Sequence, residues 1–209
     1  VLDWHDANIC GQEVLDKEPG RVFRIAARDS KAVDFEGRFA DLSKLDDVAL
    51  AKLQTVKSVW HVNQARTILQ HRAVSREIDA AAVAALQAQF KENESVDLRL
   101  RALWALHVVR QLPEQSLQSA LRDASEHVRA WAIQLLCEDH QVAAASQAQF
   151  VTMAAADTSP IVRLYLASAI QRLDGDVAWE ILEALVQHKE DGEDHNLPKM
   201  IWFGLEPMV

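Results

Sequence analysis

The stretch ASEHVRAWAIQLLCED, residues 124–139, decides how this chain is to be read. Ser125 is a short hydroxyl residue able to accept from the free amides of a first helical turn, and Glu126 suits the positive end of the helix dipole. From there apolar residues fall at Val128, Ala132, Leu135 and Leu136, one stripe of an amphipathic helix. The same register recurs four times. Ser58 leads into His61, Ala65, Ile68 and Leu69; Ser95 into Leu98, Ala102, Ala105 and Leu106. Ser159, followed by Pro160 at the favoured first helical position, leads into Val162, Leu166, Ala169 and Ile170. Asp194 leads into Leu197, Ile201, Gly204 and Leu205.

These five heads lie 37, 30, 34 and 35 residues apart, periods that point to an array of helical pairs. Between them run further helical stretches, residues 45–56, 78–93, 113–123, 142–157 and 176–189, each starting at or near Asp or Pro. The expected fold is therefore all-α, an α-α superhelix of about five helical pairs, preceded by a short β-type segment. The Ala-rich faces at 80–85, 143–145 and 154–156 are expected to be close-packing surfaces between helices. Trp104, Trp131 and Trp60, which begins a first turn, are expected to pack between repeats with their indole N–H groups near the surface.

The totals agree with a helical domain. Of 209 residues 49% are apolar, and Gly (6) and Pro (5) are scarce, which favours helices over turns. Lys+Arg number 22 against Asp+Glu 31, a net charge of −9, so the summed field repels phosphates and a nucleic-acid partner is not expected. No apolar run approaches the ~20 residues of a membrane-spanning helix, and the amino end VLDWHDANIC lacks the features of a signal peptide. Cys10 and Cys137 are far apart in sequence and read as two buried thiols rather than a disulfide. The chain starts at Val rather than Met, from which we expect a piece of a longer protein.

DASEHVRAWAIQLL (123–136) and DTSPIVRLYLASAI (157–170) resemble the second helix of a HEAT repeat. The resemblance implies that the turn residues Asp123 and Asp157 and the arginines six positions on, Arg129 and Arg163, form a ladder between neighbouring repeats. Other copies depart from the pattern: Arg99 has Asn93 at the Asp offset, Val62 stands for the Arg in the first copy and Pro198 in the last. The first and last repeats are thus expected to act as caps.

Residues 1–28 read differently. GQEVLDKEPGRVFRIAARD (11–29) holds a Pro-Gly turn and then a short β-type run with Val22, Phe23 and Ile25. LDWHDANICGQEVLDKEPGRVFRI (2–25) resembles the last strands of a sugar-dehydrogenase-type β-propeller, which implies a domain end at 1–28 and a HEAT array over 29–209. With the closing HNLPKMIWFGLEP (195–207), the whole is similar to PVC-type haem-binding proteins of the membrane-bound dehydrogenase-like kind, where a propeller is followed by HEAT repeats and a cytochrome c-like module. That resemblance implies an exported, periplasmic parent oxidoreductase, with this stretch a non-catalytic scaffold that holds no cofactor and meets a protein partner, or other domains of its own chain. No Cys-x-x-Cys-His is present to hold haem.

Candidate chemistry is sparse. His5 and Asp6 adjoin in WHDAN, and His188, Asp191, Asp194 and His195 crowd QHKEDGEDHN. Lys189 to Glu193 is expected to be a solvated loop turning at Gly192, with Asp194 capping the next helix, rather than a metal site. His107, His127 and His140 stand alone. The chain has no phosphate-binding Gly loop, nucleophile elbow or zinc-protease helix motif. Three other readings stay open beside the scaffold. Trp4, His5 and Asp6 can contribute to a dehydrogenase site at a propeller junction; a HEAT-like alkylpurine glycosylase is opposed by the acidic charge; a bilin lyase rests on fold analogy.

Overall fold

The computed structural model of the chain describes residues 40–208. Five helical pairs follow one another: α1 (Asp47–Lys52) with α2 (Val59–Ser75), α3 (Ala80–Glu92) with α4 (Val96–Val108), and α5 (Glu114–Ala120) with α6 (Glu126–Leu136). The last two are α7 (Ala144–Ala156) with α8 (Pro160–Ala169), and α9 (Gly175–Leu185) with α10 (Leu197–Leu205). The architecture is an all-α superhelix, with no strand among the described residues. The β-type run expected around Val22, the propeller-like segment 1–28, and Trp4, His5, Asp6 and Cys10 lie outside the described residues.

Local chemistry sets the starts. Asp46 heads α1 and accepts from the Ala49 amide at 2.7 Å, while Asp79 heads α3 and accepts from Ala81 at 2.8 Å. Ser58, Ser95, Ser125 and Ser159 stand in extended backbone immediately before α2, α4, α6 and α8. The fifth second helix begins later than its sequence register implies. Pro198 is the second residue of α10, and its ring fixes φ where a helix begins, so Asn196 stands at the N-cap, while Asp194 caps the helix as expected by accepting from the Leu197 amide. At its other end α4 closes in a Schellman turn: Gln111 N–H donates to Leu106 O and Arg110 N–H to His107 O, both 2.9 Å, with Arg110 at φ 60°.

Second helices stack on second helices, and first helices on first at two junctions. α1 packs on α3 and α7 on α9; α2 packs on α4, α6 on α8 and α8 on α10. One contiguous core runs through the pairs, with Leu50, Leu69, Leu86, Leu103, Ile133, Phe150, Leu166 and Ile181 fully buried.

The alanines that allow this approach are not the ones the composition indicated. Ala80, Ala81, Ala84, Ala85, Ala143, Ala144, Ala145, Ala155 and Ala156 are exposed, and of the Ala-rich faces only Ala82 and Ala154 are buried. The alanines that the second helices bury are Ala65, Ala102, Ala105, Ala130, Ala132, Ala167 and Ala169. The first helices α3 and α7, 13 residues each, are Ala-rich on their solvent side because Ala is the strongest helix former, and only one narrow stripe, such as Ala82, Leu86 and Phe90 in α3, turns inward.

Candidate functional site

The second helices α4, α6 and α8 each carry an arginine that grips two repeats. Arg129, on α6, donates from Nη1 to the carbonyl of Asp123 in its own turn at 2.9 Å. From Nε and Nη2 it donates to the two carboxylate oxygens of Asp157, in the next turn, at 2.8 Å each. Arg163, on α8, repeats this: Nη1 to Asp157 O at 2.9 Å, Nε to Asp191 at 2.6 Å and Nη2 to Asp191 at 2.5 Å. Arg99, on α4, donates from Nε to Phe90 O at 2.9 Å, and its two terminal nitrogens grip Asp123. Planar guanidinium and planar carboxylate match in a two-bond fork, which fixes the rotation between neighbours as well as their spacing.

The carboxylates do a second task. Asp123 also accepts the amide of Ser125 at 2.9 Å and Asp157 that of Ser159 at 3.0 Å, so each holds the entry of the helix it precedes. Asn93 does the same for Ser95 at 2.9 Å, which is why an amide suffices in a turn that no arginine of the preceding pair reaches. In the first pair the roles reverse. Asp47, on α1, is buried and takes both Arg72 and Arg76, the guanidinium of Arg76 being the largest of the influences that hold its carboxyl well below the ordinary range. Burial pushes Asp123 and Asp157 upward, but the bonds from Arg99 and Arg129 and from the Ser125 and Ser159 amides outweigh it and leave both low.

Asp191 departs from the sequence reading. Rather than part of a solvated loop, it is 6% exposed and lies in a 3-10 turn, Lys189–Glu193, that delivers it to Arg163. The signal that could have found it is spacing: Arg129 to Asp157 and Arg163 to Asp191 are both 28 residues. The neighbouring side chains go elsewhere. Asp194 accepts from the amides of Asn196 and Leu197 at 2.8 Å, while His188 faces Ala154 O at 2.8 Å and Glu190 at 3.1 Å. Among the described residues no three His, Cys, Asp or Glu side chains gather as metal ligands would.

The capping hydroxyls divide. Ser95 and Ser159 accept from the first-turn amides of Leu98 and Val162 as expected, at 3.5 and 3.4 Å, whereas Ser58 and Ser125 accept none. Ser58 faces the His61 ring at 2.7 Å instead, and the Ser159 hydroxyl turns to Glu126 of the preceding repeat. The Asx turn two residues upstream takes over much of the capping at Ser95, Ser125 and Ser159, which frees those hydroxyls for other contacts.

A second feature runs across the second-helix face. Trp104 (α4) meets Trp131 (α6) edge-on at 4.9 Å between ring centres, Trp131 lies 6.4 Å from Tyr165 (α8), and Arg66 (α2) sits 5.4 Å over Trp104. The Trp104 indole N–H is buried and has no partner among the described residues, contrary to the surface position expected of it, and Trp60 is largely exposed rather than packed between repeats. Beyond Tyr165 the row opens into two adjoining cavities along α8 and α10, of about 430 and 440 Å³. They share Ser168, Met200 and Phe203 as walls. Phe203 is 51% exposed, and the next residue back, Trp202, is exposed as well.

No protein-family model, no curated protein and no solved structure matches this chain. The fold and its faces therefore carry the functional reading on their own. No helix among the described residues is long and apolar enough to cross a membrane.

Proposed function

We propose that the chain is a non-catalytic interaction and spacer module, an α-solenoid whose second-helix face receives a protein partner or another domain of its own polypeptide. The observation that carries this reading is the aromatic row of that face, Trp104, Trp131 and Tyr165, continuing into half-exposed Phe203. Large rings offered to solvent beside concave walls are what protein interfaces use as anchors. The forks of Arg99, Arg129 and Arg163 support the spacer role, because they commit charge to holding one pair against the next and leave those guanidinium groups turned toward carboxylates rather than outward to phosphates. Stacked pairs joined this way transmit orientation from one end to the other.

The finer reading is a HEAT-repeat region of a larger dehydrogenase-like parent, linking a propeller to a cytochrome c-like module. Its HEAT part is supported by the six-residue offset between the turn aspartates and the helix arginines and by the reach of each arginine to the next turn, and its parent by the resemblance of residues 2–25 and 195–207 alone. The experiment is amide hydrogen exchange of the chain mixed with the separately produced neighbouring domains of its parent. Slowed exchange in α6, α8 and α10 is the expected result. Failure of every neighbouring domain to associate would remove the docking role.

A further inference from the structure

We propose that the two cavities along α8 and α10 form one groove that takes an acidic peptide segment of a partner protein. A large aromatic or aliphatic side chain of that segment seats against Trp131, Tyr165 and Phe203, and its carboxylates lie toward Lys199 and Arg172. This rests on the reading of the second helices as an interaction face, and it specifies where on that face the partner sits and what it must carry.

Three observations converge. The first is shape and lining: about 430 Å³ beside Trp131, Tyr165, Met200 and Phe203 is the volume of a bound side chain with its neighbours, and the wall is largely apolar. The second is charge. Among the described residues the ionisable side chains lining the two cavities, tyrosine apart, are Lys199, Arg172 and His140, all basic, and no carboxylate lines either space. Neither Lys199 nor Arg172 forms an ion pair with a described residue, in contrast to the arginines of the ladder. The third is hydrogen-bonding capacity: Gln134 and Asn196 in the first cavity and Ser168 between the two offer donors and acceptors that a peptide backbone can use.

The net charge of −9 discriminates among partners. It opposes an acidic partner at long range, so attraction must come from cations within a Debye length of roughly 8 Å, which is where Lys199 and Arg172 lie relative to anything in the groove. A basic segment would be drawn to the molecule as a whole and then meet like charge at this groove. Local complementarity therefore sets the register, while the apolar seat supplies most of the affinity.

The test uses random dodecapeptides displayed on phage, selected on the intact chain, with the best sequence remade as a fluorescein conjugate for anisotropy titration. Enrichment of peptides that place Trp, Phe or Leu between Asp or Glu residues is expected. Phe203→Ala should weaken the selected peptide more than about 10-fold, and Lys199→Glu and Arg172→Glu about 5-fold each. The double charge reversal should turn selection toward basic peptides. Lys199 and Phe203 are exposed, so Lys199→Glu and Phe203→Ala are expected to keep the parent circular-dichroism spectrum and melting temperature, which are recorded for every variant. No enrichment, a basic consensus, or an affinity untouched by Lys199→Glu and Phe203→Ala overturns the groove. If neighbouring domains of the parent still slow exchange in α6, α8 and α10, the groove assignment falls alone; if none associates and no peptide is selected, the interaction role falls with it.

Discussion

Asp157 and Arg129 meet across the boundary of two repeats through two bonds of 2.8 Å, and both side chains are largely withdrawn from water, 9% and 15% exposed. Removing one partner leaves the other as an uncompensated charge in a poorly solvated place. Asp157→Ala should therefore destabilise the chain by about 3 kcal/mol, well above the cost of an exposed pair. Arg129→Leu combined with Asp157→Leu should cost less than the sum of the single changes, with a coupling of roughly 1 to 3 kcal/mol in a double-mutant cycle followed by urea unfolding. Strict additivity would show that the fork holds nothing together.

The same carboxylates predict an acid limb. Asp47, Asp123 and Asp157 all titrate below their ordinary value of 3.8 in the folded chain. A depressed carboxyl contributes stability that is fully present above the unfolded value and is lost as pH falls through the folded one. Unfolding free energy should thus change little on this account from pH 7 to about 5 and fall below about 4. Asp157→Asn should begin lower at neutral pH and fall less steeply in acid. Parallel curves for the parent and the variant would assign the acid limb to other groups.

The heads of the second helices were legible in the sequence because their chemistry is local: Ser95, Ser159 and Asp194 accept from amides three positions on, and Pro160 fixes φ where α8 begins. What faces what was not. The alanines of α3 and α7 look like packing surfaces by composition, yet mostly face water, since composition does not say which stripe turns inward. The run KEDGED looks hydrated, and Asp191 within it is buried only because Arg163 reaches it from the preceding pair, 28 residues back. The groove of Lys199, Phe203 and Arg172 depends on α8 and α10 lying side by side, a relation that no single helix records.

Gly204 lets α10 come close to the end of α8. A methyl group there would lie 3.0 Å from Ile170 Cδ1 and 3.1 Å from its Cγ2, and Ile170 is 1% exposed with little room to retreat. Ala would gain helix propensity of about 1 kcal/mol over Gly and lose a similar amount to crowding. The branched Gly204→Val has the crowding without that gain, and should lower stability by roughly 1 to 3 kcal/mol. An unchanged denaturation midpoint for Gly204→Val would mean that α10 can lift away from Ile170 at no cost.

Cys137 ends α6 in a position with no exposed surface, where burial, the largest influence, pushes its thiol up to about 11. At pH 7 to 8 both the thiolate population and access to it are suppressed, and only an unfolding excursion exposes a reactive sulfur. In a Cys10→Ser variant, where Cys137 is the sole remaining thiol, iodoacetamide should label the native chain far more slowly than the urea-unfolded one. The labelling rate should rise in step with the unfolded fraction as urea is added. Equal rates in native and unfolded chain would place this end of α6 in a locally open segment and remove it from the continuous core.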